Sequence, residues 1–388
     1  MSNLPIAKDS NKSALAKKRL ETQVLIGERR QAAIVEQVSS MVIKDALILP
    51  REMSFSHEGG LKVTAKGHEF TVHSHALGQV AGVLEYPKSY LSKLQNGVVG
   101  ISPGVCRKKM CDDLNWHAHN AKLTNRKKQD AKYLMRYVGT EIRGFLSQSF
   151  KRHLASAPLM RAFLHSCMSN GLVPIDGHAS PVRVNLQCVL PYVFEPYDGE
   201  FVSVGVSWSN SDFGGGRMKV SMFMKRVNGD SAVILDDAIS EVHIGPVIEE
   251  TDIEMSAETV EAELKAQRSA IDDAVSGQVS ADNIQKLLDV IQMAHEEEIP
   301  WYRLRNELGS ILQRKELEHM RELLNGTAET GLEELPPIHY DAEGDPVATR
   351  WWSSAVLGQI ADKEDNVERK KELQELAGQI LGKTKKAA

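Results

Sequence analysis

Cys106, Cys111, His117 and His119 bring two thiols and two imidazoles into a short span, a donor set that suits zinc. Their spacing departs from a zinc finger, because the histidines are one residue apart and the gap between the pairs is short. Half-buried loop residues, with no structural metal, are the expectation. His68, His73 and His75 could ligate metal or pass protons. His73 and His75, however, flank Ser74 at a strand-to-helix junction, where capping by Ser74 and packing account for them. Asp112-Asp113, Asp236-Asp237 and Glu195 could hold Mg²⁺ in a nuclease, but no motif links them. Ser147 and Ser149 lack the Gly-x-Ser-x-Gly setting of a hydrolase nucleophile. Gly214-Gly215-Gly216-Arg217 could cradle phosphate through backbone amides. No Gly-Lys-Ser/Thr follows and no helix is expected after it, so it reads as a hairpin turn. These residues predict no catalytic group and no cofactor.

The chemistry that the sequence repeats is cationic. Val105–His153 holds Arg107, Lys108, Lys109, Lys122, Arg126, Lys127, Lys128, Lys132, Arg136, Arg143, Lys151 and Arg152 against four acids, a balance of +8. Such side chains neutralise phosphates and release counterions, the main source of sequence-independent nucleic-acid affinity. Tyr137 and Phe150, with Tyr133 and Phe145 nearby, could stack on unpaired bases. Arg217, Lys219 and Lys225 extend the basic set beyond this stretch.

The elements that must position these residues centre on Phe201–Val227. Val202, Val204, Val206 and Trp208 alternate with Ser203, Gly205 and Ser207; Met218, Val220, Met222 and Met224 alternate with Lys219, Ser221 and Lys225. Period-two alternation across a glycine-rich turn predicts a hairpin with one apolar and one basic face. Ser10–Val42 has helical periodicity through Leu15, Leu20, Val24, Leu25, Ile34, Val35 and Val38. Short strands are expected at 53–56, 59–65 and 69–72, and helices over Ser74–Leu84 and after Pro87. Strand-like alternation recurs at 141–149 and 182–194, with a helix at 158–169 between them. Beyond the hairpin the strand signal fades. Helices are expected at Ala257–Ala274, Ser280–Glu297, Trp301–Leu324, Thr349–Ala361 and Val367–Leu381. The fold class is therefore α+β: an antiparallel sheet with packed helices, followed by a helical C-terminal region. The divisions are a helical arm at 1–44, a core at 45–250 and an acidic helical region at 251–388.

Composition bounds the rest. The 388 residues are 42% hydrophobic and 26% charged, as in a soluble globular protein. The N-terminus lacks the apolar run of a signal peptide, and no run suits a membrane span. The four cysteines are expected as reduced thiols in a bacterial cytoplasm. The net charge of −5 hides a split: residues 1–230 carry 31 Lys and Arg against 19 Asp and Glu, and residues 231–388 carry 16 against 33. A basic half suits a polyanion; an acidic half suits a solvated or regulatory surface.

Several phrases resemble one family. These are Phe70-Thr-Val-His-Ser-His-Ala-Leu-Gly-Gln-Val, Tyr86-Pro87-Lys-Ser-Tyr90-Leu, Ile142-Arg-Gly-Phe-Leu-Ser-Gln-Ser-Phe150 and Ser207-Trp-Ser-Asn-Ser-Asp-Phe-Gly214. Over residues 45–250 they resemble the phage and plasmid family of domain of unknown function 932. Phe150 stands where that family usually has Tyr, and Arg226-Val-Asn228-Gly229 is a remnant of its next step. The layout also resembles single-strand annealing proteins. The resemblance implies a mobile-element protein in recombination or DNA metabolism. The reading is a non-catalytic single-stranded DNA-binding or annealing protein, acting as a homo-oligomer and using a basic groove between the hairpin and Val105–His153. The C-terminal helices would take a protein partner. The alternatives are an interaction protein that acts on a host defence factor through its acidic half, and a metal-dependent nuclease.

Overall fold

The computed structural model describes residues 4–7, 10–58, 61–120, 131–151, 154–229, 231–241, 256–326 and 339–382. The architecture is α+β, built around two sheets. Helix α1 (Asn11–Ser40) opens with a reciprocal cap: Ser10 Oγ accepts from Ser13 N at 3.1 Å, and Ser13 Oγ accepts from Ser10 N at 3.0 Å. It buries Ala16, Leu20, Gly27, Ile34 and Val38, one stripe at steps of four and seven. Leu15 and Leu25 of the expected stripe face outward instead.

The first sheet has the order β1–β5–β6–β4–β3–β2. It comprises β1 (Ile43–Ile48), β2 (Ser54–Ser56), β3 (Lys62–Ala65), β4 (His68–Val72), β5 (Tyr133–Val138) and β6 (Glu141–Ser147). Its β4–β6 pair is parallel. A parallel pair needs a crossover, and among the described residues three helices lie between these strands: α2 (Ser74–Val83), α3 (Lys88–Asn96) and α4 (Pro103–His119). They share one apolar cluster with the sheet, including Phe70, Leu77, Leu91, Met110, Leu114 and Phe145.

The second sheet has the order β12–β11–β10–β8–β7 and is antiparallel throughout. It contains β7 (Val173–Ala179), β8 (Val184–Val189), β10 (Glu200–Asn210), β11 (Met218–Arg226) and β12 (Ala232–Glu241); β9 (Phe194–Tyr197) pairs with β10. The hairpin pairs as its alternation predicts, with Val204 opposite Met224 and Val206 opposite Met222. Helix α5 (Ser156–Ser169) lies on this apolar face, where Phe163 stacks on Trp208 at 6.0 Å. Ile271 and Val275 of α6 (Ala257–Gln278) join the same core.

The other face of the hairpin is covered too: all of β10 is buried. Ala16 and Leu20 of α1 pack with Phe201 and Phe223. Farther along α1, Gly27 lies against β7 so closely that a Cβ there would stand 2.6 Å from the Ile175 backbone. The rest of this face meets α11 (Val367–Gly382), where Lys219 pairs with Glu375 at 3.1 Å and Lys371 donates to Ser209.

The remaining elements are α7 (Ala281–Glu296), β13 (Glu298–Pro300), α8 (Trp301–Leu308), α9 (Arg314–Leu324), β14 (His339–Tyr340), β15 (Pro346–Thr349) and α10 (Arg350–Asp362). Trp301–Leu324 is two helices rather than the single one expected. Gln313 and Glu316 start the second with their own capping box. β13, β15 and β14 form a separate three-stranded sheet. The expected division at 250/251 falls outside the described residues. Among the described residues one apolar cluster holds Val204 and Trp208 together with Ile291, Trp351 and Leu376.

Candidate nucleic-acid interface

The expected cations fall into different settings. Arg107, Lys108 and Lys109 stand exposed on α4. Lys109 reaches along the helix to Asp113. Arg107 and Lys108 have no ion-pair or hydrogen-bond partner among the described residues, and neither do Lys88 and Lys93 on α3, which also face solvent. Helix α4 presents its cations outward because Cys106, Met110, Cys111 and Leu114 take its inward stripe. Ser102 caps the helix, accepting from Val105 N at 3.4 Å, and Pro103 fills the first turn.

Elsewhere several cations are matched. Arg136 is buried on β5, donating through Nε to Asp45 at 2.8 Å and through Nη1 to the Asp212 carbonyl at 2.7 Å. Arg143 pairs with Glu141 at 2.7 Å and Lys151 with Glu263 at 2.8 Å. Lys132 is half-buried just before β5, and Arg217 is exposed just before β11. Lys219 and Lys225 do not line a groove with Val105–His153. They face the C-terminal helices, Lys219 against Glu375 and Lys225 within the field of Asp176 and Asp362. Arg126, Lys127, Lys128, Lys122 and Arg152 lie outside the described residues. The two rings expected to stack are half-buried: Tyr137 meets Phe70 edge-on at 4.9 Å, and Phe150 lies under the Arg136 guanidinium at 5.4 Å.

The other candidates disperse. Cys106 and Cys111 are on a helix, not a loop, and are packed into the first core. Burial pushes the Cys111 thiol up to about 11, which disfavours the thiolate a metal would need. His117 Nδ1 lies 3.0 Å from the Leu84 carbonyl and His119 is exposed. His73, not Ser74, caps α2: its Nδ1 accepts from His75 N at 3.2 Å. Among the described residues no three His, Cys, Asp or Glu side chains gather as a metal site. Ser147 and Ser149 meet each other at 2.9 Å, and Glu195 accepts from Gly199 N.

The Ser211–Gly216 turn is a joint between the two sheets. Asp212 accepts from Ser156 N at 2.8 Å, and burial raises its pKa. The Phe213 carbonyl accepts from the His75 ring and the Gln79 amide, each at 3.0 Å, while Gln79 Oε1 accepts from Phe145 N. Gly144 admits this turn, since a Cβ there would sit 3.2 Å from Phe213.

Two buried polar centres escaped the sequence reading. Arg226 forms a two-pronged pair with Glu200 at 2.6 and 2.7 Å and lies over the rings of Trp351 and Trp352. On the opposite face, Asp176, Lys225, Asp362 and Lys370 crowd together beside His178. Burial lowers His178 to about 4, against the pull of Asp176, and lowers Lys371 to about 8. Both centres join residues more than a hundred positions apart, so no local signal could have revealed them.

No family model, no curated protein and no solved structure matches this chain. No helix among the described residues is long and apolar enough to cross a membrane.

Proposed function

We propose that this protein binds single-stranded DNA without catalysing a reaction, in the recombination or DNA metabolism of a phage or plasmid. One observation carries the reading. Lys88, Lys93, Arg107 and Lys108 face solvent from two packed helices with no acid matched to them among the described residues, whereas Arg143, Lys151 and Lys219 are each paired with a carboxylate. Unmatched cations on one surface are what a phosphate backbone requires. The resemblance of residues 45–250 to a phage and plasmid family supports the mobile-element setting. Fluorescence anisotropy with a labelled single-stranded oligonucleotide, over a KCl series, tests the reading. Log affinity should fall linearly with log salt, and Arg107→Ala with Lys108→Ala should flatten the slope by about 1.4, at about 0.7 per phosphate contact. No binding at low salt overturns it.

A further inference from the structure

The loop joining α3 to α4 is apolar where a connector is normally polar. Val99 is 102% exposed, and Val98, Ile101 and Val105 are exposed beside it. The loop is built rather than loose. Ile101 N donates to the Val98 carbonyl at 2.9 Å, closing a turn, and Gly100 supplies the positive φ of 82° that a type II turn demands at its third residue. Val99 is thus held outward on a firm tip. Lys93 lies about one helical turn before the loop, and Arg107 and Lys108 about one turn after it. The surface that fits this tip must be apolar at its centre and anionic on both sides.

Nucleic acid offers that combination where base faces are uncovered between phosphate backbones. We infer that the 97–102 turn is a wedge that rests on the last base pair where duplex gives way to single strand. Lys93 takes phosphate on one flank, and Arg107 and Lys108 take it on the other. Branched aliphatic side chains at a kinked or opened base step are an established way for proteins to cover base faces. An anionic membrane is the competing partner, but the turn itself carries none of the Trp or Tyr that anchor proteins at a lipid interface. This inference rests on the DNA-binding reading and adds the kind of DNA.

The test compares wild type with the Val98→Ser, Val99→Ser, Ile101→Ser variant on a single strand, on a forked duplex and on phosphatidylserine vesicles. All three positions are exposed, so an unchanged urea midpoint certifies folding. Wild type should prefer the fork by roughly tenfold, the order of one covered base. The variant should lose that preference and keep its single-strand affinity and salt slope. A 2-aminopurine at the last base pair should change its fluorescence with wild type and not with the variant. If wild type binds single strands with no preference for the fork, or the variant keeps the preference, the wedge is wrong and the DNA reading stands. If neither DNA is bound, both fail. Vesicle binding that the variant abolishes assigns the tip to lipid and overturns the wedge.

Discussion

The α3–α4 surface and the β10–β11 hairpin are both basic in sequence, yet the fold treats their charges in opposite ways. On the helices, Lys93, Arg107 and Lys108 face water unmatched by any described residue. On the hairpin, Lys219 meets Glu375, Lys225 lies near Asp176 and Asp362, and Arg226 grips Glu200. The acidic C-terminal region is therefore not only a separate negative surface. Part of it is the counter-charge of the hairpin. A run of lysines marks a binding face only when no acid elsewhere in the chain is spent on it, and the acids here lie far away in sequence.

If that contrast is right, Arg226→Met should be the most damaging change. It leaves Glu200 buried without its cation, and losing one partner of a buried pair costs about 3–5 kcal/mol. Urea unfolding should show this, whereas Arg107→Ala should move stability by no more than about 0.5 kcal/mol. Equal losses would erase the distinction between the two regions. Acid should act next, through a histidine on the hairpin side. His178 is held neutral down to about pH 4 by burial, with Lys370, Lys371 and Arg183 adding to the effect and Asp176 opposing it. The unfolded chain takes up a proton near pH 6.5 that the native state refuses. Stability should thus fall as pH drops from 6.5 to 4, by up to about 3 kcal/mol from this residue. Urea midpoints across that window should flatten in His178→Asn; an unchanged pH dependence would remove His178 from the account. The smallest effect on the hairpin side is that of Lys219→Ala. Its pair with Glu375 is half-screened, so about 1–2 kcal/mol is expected, between the values for exposed and buried pairs. DNA affinity should be unaltered, and a loss of affinity there would make the hairpin part of the interface after all.

Much of the fold was legible because it is written locally. The period-two alternation of 202–208 and 218–224 set the hairpin register, and Ser280 capped α7 where its position indicated. β7 was hidden by Pro174 and Gly177, which weaken any strand signal, and β12 by Asp236-Asp237 at its centre. The strand nature of β10 was clear, but its second buried face was not. Ser203 and Ser207 alternate with the apolar residues, and α1 and α11 cover that side of the strand in the fold. For the candidate site, the residue types on α4 were visible in sequence. Which of the basic stretch's cations stay free was not, because the partners of Arg136 and Lys151 lie 91 and 112 residues away.

The contact between α11 and the hairpin also bears on how the chain reaches its native state. Lys219 and Glu375 are 156 residues apart, and Lys371 and Ser209 are 162 apart. Closures of this length cost entropy before any contact repays it, which places them late on a folding route. Until they form, the serine- and lysine-lined face of the hairpin stands in water, where its polar groups are solvated. Glu375→Ala, which weakens a late-forming contact, should therefore speed unfolding and leave the refolding rate nearly unchanged in stopped-flow kinetics.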